Sequence, residues 1–340
     1  MSGQETPSVV SVIIPTLEEE ADIAGCLDAI AQQDYPISAI EVLLVDGCSS
    51  DRTRDVARAR AADLGLSLRI FENPFKRTST SLNVGLDRAV GDFVVRLDAR
   101  SRVKSHYVRT AVTILDARPD VGVVGGAQVP IARSTGILHR GIARALTNRY
   151  ATGLARYRRR SGSGPADTVW MGCFRTEEVR RLGGWSAEVA LNEDWELNDR
   201  YRSHGQIVWF EGGLDSAYLP RADLSSLARQ YFAFGRVKGL WWARGMRPAP
   251  RQIVLVAAPP LASMALVALG RRWGRWTWLA VPVGLIGLDA VGARAAAPPG
   301  VRVVSSAAIG TYTAAWWIGT VAGWVGEVSG GERRPWPMLR

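Results

Sequence analysis

With 340 residues, 47% of them hydrophobic, the chain exceeds what one small core usually organises, so one large domain plus an appendage is expected. A formal net charge of +10 admits nucleic acid, anionic lipid or a phosphorylated substrate as partner, but the arginines scatter around apolar segments without a nucleic-acid-binding motif, and nucleic acid is set aside. Cys26, Cys48 and Cys173 lie far apart without metal-type spacing, which indicates neither a disulfide framework nor a zinc site and suits a reducing compartment.

The first eight residues show no charged-then-apolar pattern of the secretory kind, and the front domain is expected in the cytoplasm. Val9 to Ile14 is a β-branched run ended by Pro15, and Glu18-Glu-Glu20 opens a helical pattern through Ile23, Leu27 and Ile30. Tyr35-Pro36 breaks that helix. Ile40 to Val45 forms the next strand, and Ser49-Ser50-Asp51 caps a helix from Arg52 to Leu64. A strand at Leu68 to Phe71, a helix from Thr78 to Gly91 and a strand at Phe93 to Val95 continue the β-α rhythm, which predicts a mostly parallel, doubly wound sheet. Helix Ser105 to Arg118 and strand Val121 to Val124 follow, and Gly125-Gly126 predicts a close backbone approach.

Arg133 to Pro165, with Arg156 to Arg160 and then Ser161 to Gly164, reads as a mobile basic loop that is either a solvated turn or a cover for phosphate or membrane. Thr168 to Phe174 is strand-like and Glu177 to Arg181 a short helix. Trp195 to His204 is helical because Leu197 and Tyr201 stand i, i+4 apart, and Gln206 to Phe210 is a strand.

Nearly all acidic residues precede Asp223, and this shift marks the main boundary. The expected divisions are 1–222 as the catalytic domain, 223–250 as an interfacial helix, 251–327 as membrane segments and 328–340 as a polar tail. Leu224 to Arg244 interleaves aromatic residues with Arg229, Arg236, Lys238 and Arg244, as a helix lying in a lipid interface does. Ile253 to Gly270, Trp276 to Gly292 and Val303 to Val325 are apolar runs of about 17 to 23 residues, enough to cross ~30 Å of hydrocarbon. Three crossings would put Arg271, Arg272 and Arg275 outside, against the usual charge bias, and Pro259-Pro260, Pro282 and Asp289 also admit a kinked or re-entrant pair.

Strand ends deliver Pro15-Thr16, Asp46 and Asp98 to the carboxyl edge of the predicted sheet, where open α/β sheets bind ligands. A nucleotide-sugar calls for one carboxylate near its base, another near its phosphates and a divalent cation, Mg²⁺ or Mn²⁺, to neutralise the departing diphosphate. Asp46 and Asp98 stand in those places, although an Asp after a strand also serves as a helix cap. Displacement at the sugar carbon needs a base, for which Asp194 is the first candidate and Glu193 the next; acidic residues at a helix start also suit its dipole. Trp195 could stack on an acceptor ring or belong to the core. His106, His139 and His204 have no neighbour in sequence that suggests a triad or metal cage.

Val12-Ile-Ile-Pro-Thr16, Val45-Asp-Gly-Cys-Ser-Ser-Asp51, Asn83 with Gly85, Gly91-Asp92, Arg96-Leu-Asp-Ala-Arg100 and Asn192-Glu-Asp194 together resemble family 2 glycosyltransferases, above all their succinoglycan-type exopolysaccharide branch. The resemblance spans residues 9 to 245. It implies the nucleotide-diphospho-sugar transferase fold and an inverting enzyme with a metal-dependent nucleotide-diphosphate-sugar donor. The acceptor would be lipid-linked or a polysaccharide, at the cytoplasmic face of a bacterial-type inner or plasma membrane that the chain crosses several times. By position, the resemblance places Pro15, Thr16, Glu18, Asp46, Asn83, Asp98 and Arg100 at the donor, with Asp98 also at the metal and Asp194 as the base. Arg229-Gln230 and Arg236 fall on a motif that grips diphosphate or acceptor. Arg100 stands where a second aspartate is usual, so Asp98 alone would hold the metal and Arg100 or Lys104 would neutralise phosphate.

A non-catalytic membrane scaffold with a degenerate nucleotide-sugar site is the alternative that Arg100 supports. A dinucleotide-dependent oxidoreductase lacks its glycine fingerprint, since Pro15-Thr16-Leu17-Glu18 stands after the first strand. No short motif encodes the sugar, the linkage or an oligomeric state.

Overall fold

In a computed structural model, described for residues 7–148, 150–151, 162–187, 191–246, 248, 252–253, 256–257, 280–292 and 296–329, the chain forms two compact units. One comprises Met1–Val129 with Arg159–Tyr218, the other Pro130–Arg158 with Leu219–Arg340. The second unit takes up the chain again at Leu219, and Pro130–Arg158 belongs with it.

The first seven elements alternate as the sequence pattern predicts: β1 (Val10–Thr16), α1 (Ile23–Ala31), β2 (Ile40–Asp46), α2 (Thr53–Leu64), β3 (Ser67–Glu72), α3 (Thr78–Arg88) and β4 (Phe93–Arg96). They are followed by β5 (Ser101–Val103), α4 (Tyr107–Ala117), β6 (Val121–Gly126), β7 (Gln128–Pro130) and α5 (Ile137–Leu146). Then come β8 (Gly164–Pro165), β9 (Trp170–Arg175), α6 (Thr176–Arg181), α7 (Glu193–Ser203), β10 (Ile207–Phe210) and β11 (Ser216–Tyr218). The large sheet runs β3-β2-β1-β4-β9-β6-β10-β8, and a second sheet runs β5-β11-β7.

Burial explains the order of the inner strands. All seven residues of β2 are buried, and β1 beside it is nearly so, as parallel strands covered on both faces must be. Glu41 is tolerated inside β2 because its carboxylate accepts from Ser11 Oγ (2.6 Å) and pairs with Arg69 (3.0 Å). The mostly parallel sheet expected from the sequence needs two amendments: β9, in its middle, runs antiparallel to both β4 and β6, and the edge strand β8 runs antiparallel to β10. The close approach expected at Gly125-Gly126 is present. A Cβ on Gly126 would lie 1.5 Å from the Leu214 carbonyl oxygen, so no larger residue fits there.

The acidic triplet Glu18-Glu-Glu20 does not open α1, which begins at Ile23. Glu18 turns the chain at φ +56° and accepts from the Ser50 amide (2.7 Å), while Glu20 accepts from the Arg52 amide (3.0 Å). With Asp51 accepting from the Thr53 amide (3.0 Å), these acids satisfy free N–H groups at the start of α2.

The second unit is helical: α5, α8 (Leu224–Ala243), α9 (Ala280–Gly292) and α10 (Pro299–Ser329). The mobile basic loop expected over 133–165 is corrected in its first half, where α5 stands and Arg133 Nε donates to the Pro220 carbonyl (2.6 Å). Its arginine-rich core, 156–160, lies outside the described residues. The stretches 253–270 and 276–279, with Arg271, Arg272, Arg275 and the tail beyond 329, lie wholly or largely outside them too. Val303 to Val325, expected as a third membrane segment, falls within α10. Among the described residues, however, no helix is long and apolar enough to cross a membrane.

The helix α8 expected from Leu224 is present, and it packs on α10 through glycines. Gly235 and Gly239 press on Trp316 and Thr320, while Gly319 and Gly323 press on Phe232 and Arg236, so the two helices run in the same direction with backbones touching. A Cβ at Gly239 would stand 1.9 Å from the Thr320 carbonyl oxygen. Gly239→Ala is accordingly expected to cost about 1–3 kcal/mol, read as a lower denaturation midpoint in mild detergent. An unchanged midpoint would show that the crossing is loose.

Candidate active site

β1 and β2 end together, Thr16 opposite Asp46, while β4 ends earlier, with Arg96 opposite Ile13 in parallel register. The chain leaving β4 is fixed at once: the Leu97 amide donates to Ile13 O (3.0 Å), and the Asp98 amide to Met171 Sδ (3.3 Å). Asp98 is thereby presented just beyond the sheet edge, its side chain 27% exposed. Met171 itself has φ +54° and its carbonyl accepts from the buried Tyr107 hydroxyl.

Glu193 and Asp194 reach the same place from the other end of the chain. They open α7, which starts two residues earlier than the apolar spacing indicated, after Asn192 turns at φ +63°. Leu197 and Tyr201, the pair that betrayed the helix, are both fully buried, and the Tyr201 ring lies 5.9 Å from that of Phe174 on β9. Packing of one face therefore aims the first turn of α7 at the end of β4.

The joint is Arg96. Its Nε donates to Asp98 Oδ1 (3.0 Å), and its Nη1 pairs with Glu193 (2.7 Å) and with Asp194 Oδ1. With three carboxylates around it, a guanidinium 6% exposed stays charged despite burial. Burial pushes the Asp194 carboxyl up to about 6, a rise that Glu193 and Asp98 reinforce and Arg96 opposes. At 19% exposure Asp194 can meet a substrate, whereas Glu193 at 7% is committed to Arg96.

Asp98 and Asp194, far apart in sequence, thus converge as expected. Asp46, at the end of β2, makes its contacts with other residues. It is fully buried, and its carboxylate accepts from Thr16 Oγ1 (3.1 Å), Ser49 Oγ (2.6 Å) and the Ser49 amide (2.8 Å) with Arg54 at 3.6 Å. The contacts of Asp46, like those of Thr16 and Glu18, tie together the loops after β1 and β2, and Pro15 lies opposite Val45. Asn83 is likewise engaged elsewhere, exchanging two hydrogen bonds with the Trp185 backbone (2.7 and 2.8 Å). Arg100 pairs with Glu19 (3.3 Å) and is 18% exposed. Lys104 stands 3.5 Å from Asp215.

Trp195 is half-buried with the Arg202 guanidinium 5.9 Å from its ring centre. On α8, in the other unit, Arg229 donates to Ser225 and Ser226, while Gln230 is half-buried and Arg236 exposed. The three histidines serve the fold: His106 meets Gly213 O (3.1 Å), His139 Ser134 Oγ (2.7 Å) and His204 Arg200 O (2.8 Å).

Residue reading missed Arg96 and Met171. A cation at the end of a strand otherwise made of Phe and Val was the available signal, since a buried arginine demands acidic partners. The Met171 contact depends on a backbone turn that no motif encodes.

Among the described residues no group of three His, Cys, Asp or Glu side chains could hold a metal ion alone. One carboxylate, Asp98, still fits Mg²⁺ or Mn²⁺, because such ions commonly take one or two protein carboxylates and complete their shell from substrate phosphates and water. Asp98 would then hold an ion that arrives with a diphosphate.

A mixed sheet between helices, with a joined pair of acids at its carboxyl edge, has the crevice in which open α/β sheets bind ligands. The comparisons give the class. Residues 11–179 match the family described as glycosyl transferase family 2, and the chain belongs to that family; it is a glycosyltransferase. It is 29% identical, over 84% of each chain, to the succinoglycan biosynthesis protein ExoA of Rhizobium meliloti (strain 1021). It is 30% identical to a PGL/p-HBAD biosynthesis glycosyltransferase of Mycobacterium tuberculosis (strain ATCC 25177 / H37Ra), over 58% of this chain and 71% of that one. Its fold is that of the mannosyltransferase PcManGT from Pyrobaculum calidifontis, solved in complex with GDP-Man and Mn²⁺: TM-score 0.55, 22% identity, 96% of this chain and 89% of that chain covered.

Proposed function

We propose that the protein transfers a sugar, with inversion, from a nucleotide-diphosphate donor to a lipid-linked or polysaccharide acceptor. The reaction takes place at the cytoplasmic face of an inner or plasma membrane. The observation that carries this reading is the single buried guanidinium holding Asp98 and Asp194 together at the carboxyl edge of the sheet. Asp98 stands on the donor side, where a divalent cation would neutralise charge on the departing diphosphate. Asp194 takes the proton of the acceptor hydroxyl. Its position at the first turn of α7 fixes its direction.

The relatives support the substrate classes by what they are named for, succinoglycan and PGL/p-HBAD biosynthesis, and the solved mannosyltransferase by its GDP-Man and Mn²⁺. The charge of +10, the aromatic-and-arginine helix α8 and the apolar sequence from Ile253 onward support membrane attachment. Retention in the membrane fraction after a high-salt wash is the expected behaviour, and full release would refute attachment by apolar surface.

The direct test is a thermal-shift panel of nucleotide-sugars with and without Mn²⁺. A selective donor at 100 times its Kd stabilises the native state by about 2.7 kcal/mol. A panel in which no nucleotide-sugar raises Tm would overturn the donor assignment.

The rate should also follow the ionisation of Asp194. Transfer needs the carboxylate form, so kcat is expected to rise tenfold per pH unit below about 6 and to level off above it. Stability takes the opposite sign. A carboxyl raised in the folded state favours the protonated native form, so this group's contribution declines as pH rises from about 4 through about 6. A flat rate profile between pH 5 and 7 would exclude Asp194 as the titrating base.

A further inference from the structure

We infer that Arg96 is the positioning residue of the transfer: its guanidinium holds the donor-side carboxylate Asp98 and the base Asp194 at a set separation and orientation. This rests on the reading of Asp194 as the base. The two acids belong to elements nearly a hundred residues apart, and one side chain joins them at the groups that would react. Its backbone is fixed at the last residue of β4, opposite Ile13.

The planar fork is what suits it to the task. Nε faces Asp98 while Nη1 faces Glu193 and Asp194, so the acids are tied to two nitrogens of one rigid group. A bystander salt bridge would need only the charge. An ammonium on a flexible stem supplies the same charge as a point and cannot hold both carboxylates in the directions of the fork. Glu193 completes the arrangement, for it is nearly as buried as Arg96 and keeps Nη1 at the start of α7 when a substrate draws on Asp194. Misplacing a catalytic group by about 1 Å costs on the order of 10²-fold in rate.

Arg96→Lys separates charge from geometry. The expected result is a loss of about 30- to 100-fold in kcat, with the donor KM and the affinity for UDP–Mn²⁺ or GDP–Mn²⁺, whichever binds the unaltered protein, within about threefold. The rate is read as nucleoside-diphosphate release from the nucleotide-sugar that the panel selects. A kcat within threefold of the unaltered protein would overturn the inference. So would a folded variant that loses nucleotide affinity as steeply as rate, because the arginine would then be serving donor binding.

Should Arg96→Lys melt below the assay temperature, Arg96→Gln with Glu193→Gln removes one cation and one anion together and is read by the same criteria. Asp194→Asn keeps the two readings apart. If Asp194→Asn turns over normally, the base assignment fails; if it is inactive while Arg96→Lys is fully active, only the positioning role fails.

Discussion

Asp194→Asn is expected to lower transfer by about 10²- to 10⁴-fold, the usual contribution of a positioned general base, while leaving donor affinity unchanged. The replacement suits the test because an asparagine carbonyl can still accept from Arg96 Nη1, so the joint between β4 and α7 survives. It also removes a charge whose burial is unfavourable, as the raised Asp194 carboxyl shows, and so Tm should hold or rise. Glu193→Gln is the matched control. Glu193 is more buried and faces Arg96, so its loss should act on stability more than on rate. Near-normal turnover by Asp194→Asn would refute the assignment whatever its stability.

The largest stability effect is expected in the helical unit, at Asp289. Its side chain is fully buried and receives a two-pronged guanidinium from Arg144 (Nε at 3.0 Å, Nη2 at 3.0 Å) and the Ser305 hydroxyl (2.5 Å), with Arg302 at 3.8 Å. One carboxylate thereby ties α5, α9 and α10 together. Asp289→Ala leaves the Arg144 charge buried without its anion, at a cost of about 3–5 kcal/mol, measurable as a fall in the denaturation midpoint in detergent. Replacing both partners by hydrophobic residues, Arg144→Met with Asp289→Leu, should recover most of that loss, since a packed apolar pair has no unpaired charge. A single variant as stable as the unaltered chain would show that the pair is solvated and idle.

The two experiments probe different units, and their effects should add. Asp194 lies in the unit built on the sheets and Asp289 in the helical one, and among the described residues their hydrogen-bond and ion-pair partners are different.

Much of the fold was legible from the sequence because its signals are local. A β-branched run such as Val12-Ile-Ile14 must be buried, and the spacing of Leu197 and Tyr201 lets one helix face meet the sheet. The α5 helix was also within reach, through Leu138, Ile142, Ala145 and Leu146 at helical spacing. The arginine run at 156–160 and the Ser-Gly sequence after it point instead to a loop, whereas Arg144 turns inward to Asp289. The antiparallel course of β9 left no mark on its own residues, because a central strand is apolar whichever way it runs.

By itself, the sequence determined the alternation of strands and helices, the family, and the three acids worth watching, for each of these follows from residue type and spacing along the chain. Only the tertiary structure decided what those acids touch: Asp46 buried among Thr16, Ser49 and Arg54, Asp98 and Asp194 joined through Arg96. The reason is physical. A carboxylate takes its surroundings from the charges and donors within a few ångströms: for Asp46 these come with the pairing of β1 and β2, and for Asp98 and Asp194 from segments that only the packing of α7 against the sheet brings within reach.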